Sequence, residues 1–329
     1  MNVRKQINPN KNPTVQTKLQ FNIDAWVPYI GSIIIILIGA TVLPKFLSVE
    51  YLLQQLQIAS FLGVIAVGAM IVILLGHIDL SVPWTLGGAA IISTALVGTG
   101  DPVLSAFSIP AALTFGLMVG IINGVGVSVF RIPSMVWTLA VNSILLGVAV
   151  LNTGGFNPKG EASALMISMA TQRTIGIPNA LIVWMVLCLG IFILLHYTNF
   201  GKYLSAIGFA EKATFLSGVS TGSVVFIAFM IAGMCSALGG VLLAGFANQA
   251  YQSMGDPYLM PTIAAVVIGG TSILGGRGSL LGTVGGVIFI TLLTSVLSVM
   301  QISEAWRQIT FGLLIVAMLL FQNLRNKRA

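Results

Sequence analysis

The fold is first indicated by residues 51–83, which read YLLQQLQIASFLGVIAVGAMIVILLGHIDLSVP. Residues 51–75 are predominantly apolar and uncharged, and a helix of that length rises about 37 Å, more than the roughly 30 Å hydrocarbon core of a bilayer. Asp79 then interrupts the apolar sequence between Gly76 and Pro83, with no hydrophilic loop around it. The segment therefore predicts a membrane-spanning helix followed by a break in the chain.

The composition of the whole chain extends this prediction. Hydrophobic residues make up 57% of the 329 residues and charged residues 7%, against roughly 45–50% and 25% in ordinary globular domains. Eight acids and fifteen bases cannot cover a water-soluble protein of this size. Collagen and disordered chains are excluded, because the 37 glycines have no triplet period and apolar residues dominate. We predict an all-α polytopic membrane protein.

Ten apolar runs follow the polar residues 1–25, and they predict about ten transmembrane helices. The runs are 26–43, 51–75, 82–99, 108–130, 132–151, 177–197, 223–247, 260–274, 280–300 and 305–321. The run 260–274 is short and rich in glycine toward its end, so a broken or re-entrant segment is expected there. No stretch between the runs is long enough for a soluble domain. The predicted divisions are a tail over 1–25, a single transmembrane domain over 26–322 and a basic tail over 323–329.

The basic residues predict the orientation, because cytoplasmic loops carry an excess of Lys and Arg. Ten helices and a cytoplasmic N-terminus place eleven bases inside, namely Arg4, Lys5, Lys11, Lys18, Arg131, Lys202, Lys212, Arg277, Arg325, Lys327 and Arg328. The four bases outside are Lys45, Lys159, Arg173 and Arg307. Both termini, and therefore both tails, are predicted to be cytoplasmic.

Several functional classes lack their sequence patterns here. No P-loop is present, since Gly201-Lys202 continues to Tyr203 instead of Ser or Thr. Paired carboxylates, a Ser-His-Asp set and metal-ligand clusters are absent, so we expect no catalytic residue and no metal site. The net charge of +7 is spread over loops and tails without an aromatic-interleaved basic face, which argues against a nucleic-acid partner. Cys188 and Cys235 lie in apolar runs, and a disulfide is not expected.

The segment Gly76–Pro83 has two compatible interpretations. An acid among apolar runs costs about 2.5–3.5 kcal/mol at a helix centre, so Asp79 needs polar partners. Gly76 and Pro83 favour a break, and either Asp79 or Ser81 is expected to cap a helix that begins near Pro83. The segment is then a capped turn at the cytoplasmic interface, a helix break beside a substrate path, or both.

Polar residues inside the runs are candidates for a translocation path. With the two polar residues of the break, they are Asp79, Ser81, Asn123, Thr138, Asn142, Asn152 and Asn248. Interhelical hydrogen bonding is the alternative role for each of them.

Two further segments carry a pattern. Gly278, Gly282 and Gly286 recur every fourth residue after a glycine-rich turn, which predicts close helix packing around a bent hairpin. The loop 198–222 contains an amphipathic stretch between two glycines that predicts a short helix lying parallel to the membrane, suited to docking a cytoplasmic partner. A solvated connector is the alternative. The docking candidates are Gly208, Glu211, Lys212, Ala213, Phe215, Leu216, Ser217 and Gly218.

These segments resemble permease subunits of bacterial ABC importers of the ribose type, in the superfamily that also holds branched-chain amino acid permeases. Gly76–Pro83 is similar to their G-G-x-D-L-S-V-G signature, and AAVVIGGTSILGGRGSLLGTVGG, residues 264–286, to their glycine-rich signature. Residues 206–218 resemble their ATPase-contacting loop. The resemblance extends from about 26 to 322, with departures at His77, Pro83 and 209–211.

The resemblance implies the function and the partners. It implies import of a monosaccharide, a ribose-like pentose or a hexose, across the bacterial inner membrane. ATP and Mg²⁺ would bind a separate cytoplasmic ATPase, so this chain would carry no cofactor. The other implied partners are a second permease subunit, identical or related, a periplasmic sugar-binding protein, and the surrounding lipid.

Other functions stay open at this point. Within the same superfamily the cargo could be an autoinducer-type furanosyl molecule, a nucleoside or a branched-chain amino acid. A secondary transporter is the alternative from another class, with Asp79 as its ion-coupling group.

Overall fold

The structure is a computed structural model that describes residues 23–156, 158 and 160–326. The helices are α1 (Ile23–Val42), α2 (Val49–Leu74), α3 (Val82–Val97), α4 (Pro102–Ala106), α5 (Ser108–Ser128), α6 (Ser134–Thr153), α7 (Ala164–Thr171), α8 (Asn179–Tyr197), α9 (Asn199–Leu216), α10 (Thr221–Ala247), α11 (Leu259–Ile268), α12 (Leu280–Val299) and α13 (Glu304–Asn326). Two 3-10 helices span Pro44–Leu47 and Asp256–Tyr258, and β1 (Arg173–Thr174) pairs antiparallel with β2 (Ile177–Pro178). The predicted all-α class is confirmed.

Each of the ten apolar runs contains a helix, although in the run 260–274 the helix ends at Ile268. Six helices are long and apolar enough to cross a membrane: α2, α5, α6, α8, α10 and α12. The apolar helices Trp26–Val42, Val82–Val97 and Asp256–Ile268 are shorter. Helix α11 itself has 10 residues and rises about 15 Å, roughly half the hydrocarbon core. The structure thus supports a multi-pass helical membrane protein, while ten crossings remain a prediction.

The predicted tails fall partly outside the described residues. Residues 1–22 of the 1–25 division and residues 327–329 of the 323–329 division lie outside, as does Lys159, whereas residues 323–326 form the end of helix α13.

The bundle has two ends, which we name after one residue at each. At the Arg131 face, the end of α2 meets the turn before α12, where the Gly276 N–H donates to Leu74 O at 2.8 Å. Arg131, in the α5–α6 loop, pairs there with Glu211 of α9. Helix α1 begins at the same end, since the Tyr29 hydroxyl donates to Leu281 O at 2.8 Å.

The opposite end is the Glu304 face, where α13 begins. The start of α2 meets the end of α12 there through the hydroxyls of Tyr51 and Ser295, 2.5 Å apart. The chain just after α10 lies at this face as well, because Tyr251 lines a cavity there together with Ser298 and Glu304. Successive apolar helices therefore alternate in direction between the two faces.

Helix α2 lies at the centre of the core. Every residue from Ala59 to Leu74 is buried, which matches its uniformly apolar sequence, because a helix that is apolar all round has no face suited to water. Gly63 packs against Trp184 of α8, and a Cβ at Gly68 would lie 2.6 Å from Cys235 Cβ of α10. Helices α6 and α8 are mostly exposed and apolar, which suits contact with lipid.

Glycines bring α5 and α10 together. A Cβ at Gly120 would lie 2.5 Å from Phe229 O, and one at Gly116 would lie 2.5 Å from Gly233 O. Such contacts let two helix backbones approach closely, as small residues do in membrane bundles. The close approach holds α5 rigidly beside the α2–α3 break.

Candidate functional site

The chain between α2 and α3 is an extended break over residues 75–81. Gly76 has φ +82°, and a Cβ there would lie 3.1 Å from Leu274 O, so glycine suits both the conformation and the space. Pro83 lies in the first turn of α3. The predicted break and the helix start near Pro83 are therefore present.

A polar stripe on α6 binds the backbone of this break. The N–H groups of Ile78, Leu80 and Trp84 donate to the side chains of Ser134, Thr138 and Asn142, at 3.2, 2.8 and 3.2 Å. The three acceptors recur every fourth residue, so they lie on one side of α6. They supply the partners that unpaired buried N–H groups require. Ser134 was missed by the sequence reasoning, although its spacing from Thr138 and Asn142 carries the signal.

Asp79 organises the middle of the break. Its Oδ1 accepts hydrogen bonds from the Ser81 backbone N–H at 2.8 Å and from the Ser81 hydroxyl at 2.6 Å. Asn123 Nδ2 of α5 donates to the Ser81 hydroxyl at 2.7 Å. Ser81 occupies the N-cap position of α3 but makes no side-chain capping bond, so the capping role predicted for its hydroxyl is wrong. Asp79 instead closes a turn on Ser81 itself.

The structure divides the seven path candidates into two groups. Asp79, Ser81, Asn123 and Thr138 are buried around the break, and Asn142 beside them is half-buried. Asn152 and Asn248 are exposed at the far end: Asn152 donates to Val148 O, and Asn248 ends α10 with φ +57°. The polar side chains of the first group bond one another and the backbone, except that Asn123 Oδ1 is buried without a partner among the described residues.

Helix α9 contains the predicted docking segment but has a different boundary. Its backbone leaves the helical region at Ala210, so Glu211–Leu216 forms a short second part, and Gly218 follows with φ +87°. The sequence suggested that Gly208 precedes the short helix directly, but the structure does not place it there. It lies in the first part of α9, where the missing Cβ admits Leu74 O and Gly276 N.

One side of α9 is tied to the rest of the Arg131 face. Glu211 Oε1 lies 2.8 Å from Arg131 Nη1, with both side chains partly exposed. The Arg277 guanidinium lies 5.6 Å from the centre of the Phe209 ring, a cation–π arrangement. Glu211, one of the docking candidates, therefore also pairs within the chain.

The other side of α9 is unoccupied by the described residues. Phe215 is 60% exposed and Leu216 is 84% exposed. The remaining exposed docking candidates are Lys212, Ala213, Ser217 and Gly218. The Arg131 face thus presents a short apolar tip on a helix that is anchored on its opposite side.

A cavity of about 480 Å³ lies beside the Arg131–Glu211 ion pair, which anchors α9. His77, Arg131, Ser134 and Glu211 are among its lining residues. Burial lowers the pKa of His77, and the nearby Glu211 carboxylate opposes this shift. The cavity joins the break to the α9 anchor.

The predicted glycine stripe is divided between a turn and a helix. Gly286 of α12 abuts Ala265 O of α11, and a Cβ at Gly269 would lie 2.5 Å from Gly282 O. Gly278 precedes α12, where a Cβ would lie 2.7 Å from the Leu74 side chain. Only Gly282 and Gly286 therefore lie at the α11–α12 contact.

Metal-ligating and thiol groups form no cluster in the part of the chain that the structure describes. Its His, Cys, Asp and Glu residues form no group of three that could hold a metal ion. Cys188 and Cys235 are free thiols.

Comparison with known proteins gives a family and several relatives. Residues 51–319 match the model of the family described as branched-chain amino acid transport system / permease component. The chain is 32% identical to the ribose import permease protein RbsC of Haemophilus influenzae, covering 90% of this chain and 92% of the relative. It is also 32% identical to RbsC of Bacillus subtilis, covering 91% and 92%.

A relative named for a different cargo is similar to the chain as well. The autoinducer 2 import system permease protein LsrC of Escherichia coli is 33% identical, covering 84% of this chain and 80% of the relative. No solved structure matches the chain.

Proposed function

The chain belongs to the family of branched-chain amino acid transport system permease components, and we propose that it is the permease subunit of an ABC importer of a monosaccharide. A ribose-like pentose or a hexose would be moved into the bacterial cytoplasm through the inner membrane. The observation that carries the proposal is the similarity to ribose import permeases along nine-tenths of the chain. The chain is thus a transporter subunit and not an enzyme. ATP and Mg²⁺ would bind a separate ATPase, and this chain would need no cofactor.

We propose that the Arg131 face is cytoplasmic and that ten segments cross the membrane. Four of the bases with described side chains lie at this face: Arg131, Lys202, Lys212 and Arg277. Three lie toward the other: Lys45, Arg173 and Arg307. Because α1 begins at the Arg131 face and α13 starts at the opposite one, an even number of crossings puts both tails on the same side. The positive-inside bias favours the cytoplasm for that side.

The short second part of α9 is the proposed contact with the ATPase. Its exposed Phe215 and Leu216 supply apolar area, and Lys212 supplies charge at the rim. Its opposite side reaches the α2 end through Gly208 and the α5–α6 loop through Glu211. Movement of the ATPase would therefore reach the break without a flexible intermediate.

The path through the membrane would run beside the break. Asn142 is its half-buried polar group, and Asn152 and Asn248 would continue it toward the Glu304 face. Asp79, Ser81, Asn123 and Thr138 would hold the break in shape. A second permease subunit, identical or related, would close the path, and a periplasmic sugar-binding protein would deliver cargo to the Glu304 face.

A furanosyl signalling molecule is the second candidate cargo. The 33% identity to the autoinducer 2 import permease favours it over nucleosides and amino acids. Import of either cargo requires the same partner proteins, so the identity of the cargo does not affect the proposed assembly.

The proposal is tested by assembly and by uptake. We expect vesicles that hold the permease, its ATPase and its binding protein to take up D-ribose with ATP hydrolysis. Phe215→Asp should abolish co-purification of the ATPase, because it places a charge in an apolar contact. Phe156→Asp, the same change at an exposed Phe of the opposite face, should leave co-purification intact. Equal recovery of the ATPase with both variants would refute the docking assignment, and absence of uptake of any sugar would refute the cargo class.

A further inference from the structure

A second cavity lies at the Glu304 face, away from the break and from α9. It has a volume of about 450 Å³ and is lined by α2, α11, α12 and α13. This volume falls within the roughly 300–1,000 Å³ of small-molecule sites. The cavity is therefore large enough for a ligand of monosaccharide size.

Two buried polar side chains line this cavity without a partner. Gln55 of α2 is 7% exposed and Thr291 of α12 is 6% exposed. Among the described residues, none hydrogen-bonds to either side chain. Their polar atoms are not among the fully enclosed unpartnered ones, so they remain accessible from the cavity, and a ligand group that hydrogen-bonds to Gln55 and Thr291 can replace solvent there.

The remaining lining sets the chemistry of that group. Tyr251, Tyr258 and Phe311 give it aromatic surface. At its rim, Glu304 Oε2 lies 3.3 Å from Arg307 Nη1, so these two charges compensate each other. A ligand that fits has no net charge, several hydroxyl groups and a hydrophobic C–H face for an aromatic ring.

We propose that this cavity binds a free monosaccharide on the outward side of the permease, with Gln55 and Thr291 as its buried hydrogen-bonding groups. The identity of the ligand as cargo rests on the proposed function. The site lies within one subunit and would hold sugar released at the Glu304 face before it reaches the path.

Direct binding tests the site. The permease in phosphatidylcholine nanodiscs is titrated with D-ribose in a calorimeter, and the titration is repeated with Gln55→Leu and Thr291→Val. Both changes replace an unpartnered polar group by an apolar one of similar size, so the variants should fold. We expect saturable binding that weakens at least tenfold in Gln55→Leu. Thr283→Val alters a buried, unpartnered hydroxyl of the same helix outside the cavity, and it should bind D-ribose like the parent.

Three results would overturn the site. The first is the absence of saturable D-ribose binding by the parent, and the second is an affinity of Gln55→Leu for D-ribose equal to that of the parent. The third is loss of D-ribose binding in phosphatidylglycerol nanodiscs, which would assign the cavity to a lipid glycerol headgroup. Uptake by the complete transporter separates the two proposals. Uptake of D-ribose without binding here removes the site and leaves the proposed function, whereas binding here without uptake removes the proposed function.

Discussion

The apolar bundle is interrupted twice at the Arg131 face, and the two interruptions are built differently. The break over 75–81 has its N–H groups bound by side chains of α6 and by Asp79. The hairpin over 269–279 binds its own backbone instead: the Ser272 N–H donates to Arg277 O at 2.8 Å and the Gly275 N–H to Ser272 O at 3.0 Å. Both meet the requirement that buried backbone groups be paired.

Beside the break one buried polar side-chain atom, Asn123 Oδ1, has no partner in the described chain, and near the hairpin two hydroxyls have none. The Thr271 and Thr283 hydroxyls are buried there without partners in the described chain. Glycines shape the hairpin, and Gly270, Gly275 and Gly276 have φ between +78° and +85°. At the break, hydrogen bonds from backbone N–H groups to side chains fix the register of α3 against α6. At the hairpin, the absence of side chains on the glycines lets α11, α12 and α9 approach closely. The two interruptions should therefore fail through different substitutions.

The largest expected effect comes from crowding the hairpin side. Gly286→Leu places a side chain against Ala265 O, and overpacking of this kind typically costs about 1–3 kcal/mol, with more where backbone is hit. We expect little folded protein. Gly190→Leu is the matched control, because no atom lies within 4 Å of the Cβ position at Gly190. Equal yield and melting temperature of the two purified variants would contradict the α11–α12 contact.

The next effect comes from the carboxylate of the break. Asp79→Leu removes the acceptor for both Ser81 donors and should cost about 1–3 kcal/mol. Asp79→Asn keeps one oxygen and should fold and retain much of its transport. Thermal unfolding and uptake are measured for both. A folded but inactive Asp79→Asn protein, with uptake that collapses on protonophore addition while ATP is maintained, would indicate a proton-coupled secondary transporter.

A paired test compares hydroxyls at the two interruptions. Thr138→Val leaves the Leu80 N–H without its acceptor and should lower the free energy of unfolding by about 1–2 kcal/mol. Thr283→Val removes a buried hydroxyl that has no partner, so stability should hold or rise. Equal melting-temperature changes in the two variants would remove the distinction between the interruptions.

The smallest effect on stability is expected at the Arg131–Glu211 ion pair, which lies between the two interruptions. Arg131→Glu or Glu211→Arg should change the free energy of unfolding by less than about 1 kcal/mol, because both side chains are partly exposed. Sugar-stimulated ATP hydrolysis should nevertheless fall in each, since the tie between α9 and the α5–α6 loop is lost. The double swap should restore it. Failure of the double swap would mean that the pair does not transmit motion.

The sequence predicted much of this site from local chemistry. Gly76, Asp79 and Pro83 indicated the break, since glycine, a turn-forming acid and proline act over a few residues. The contact of α6 with the break could not be predicted, because Ser134 lies 56 positions from Ile78, and its spacing from Thr138 and Asn142 indicates a polar side of α6 but not what that side contacts. The pairing of Glu211 with Arg131 across 80 positions could not be predicted either, because it depends on the same kind of long-range contact.

The sequence is sufficient to predict the class of the protein and its helices, because an apolar run of sufficient length must pair its backbone internally in lipid. It also determined where the chain turns, since glycine and proline restrict φ locally. Only the tertiary structure decided which side of α9 is free, which hydroxyls are paired and which glycines lie against a neighbouring backbone. These properties depend on contacts between distant segments, and hydropathy carries no information about which apolar helix packs against which.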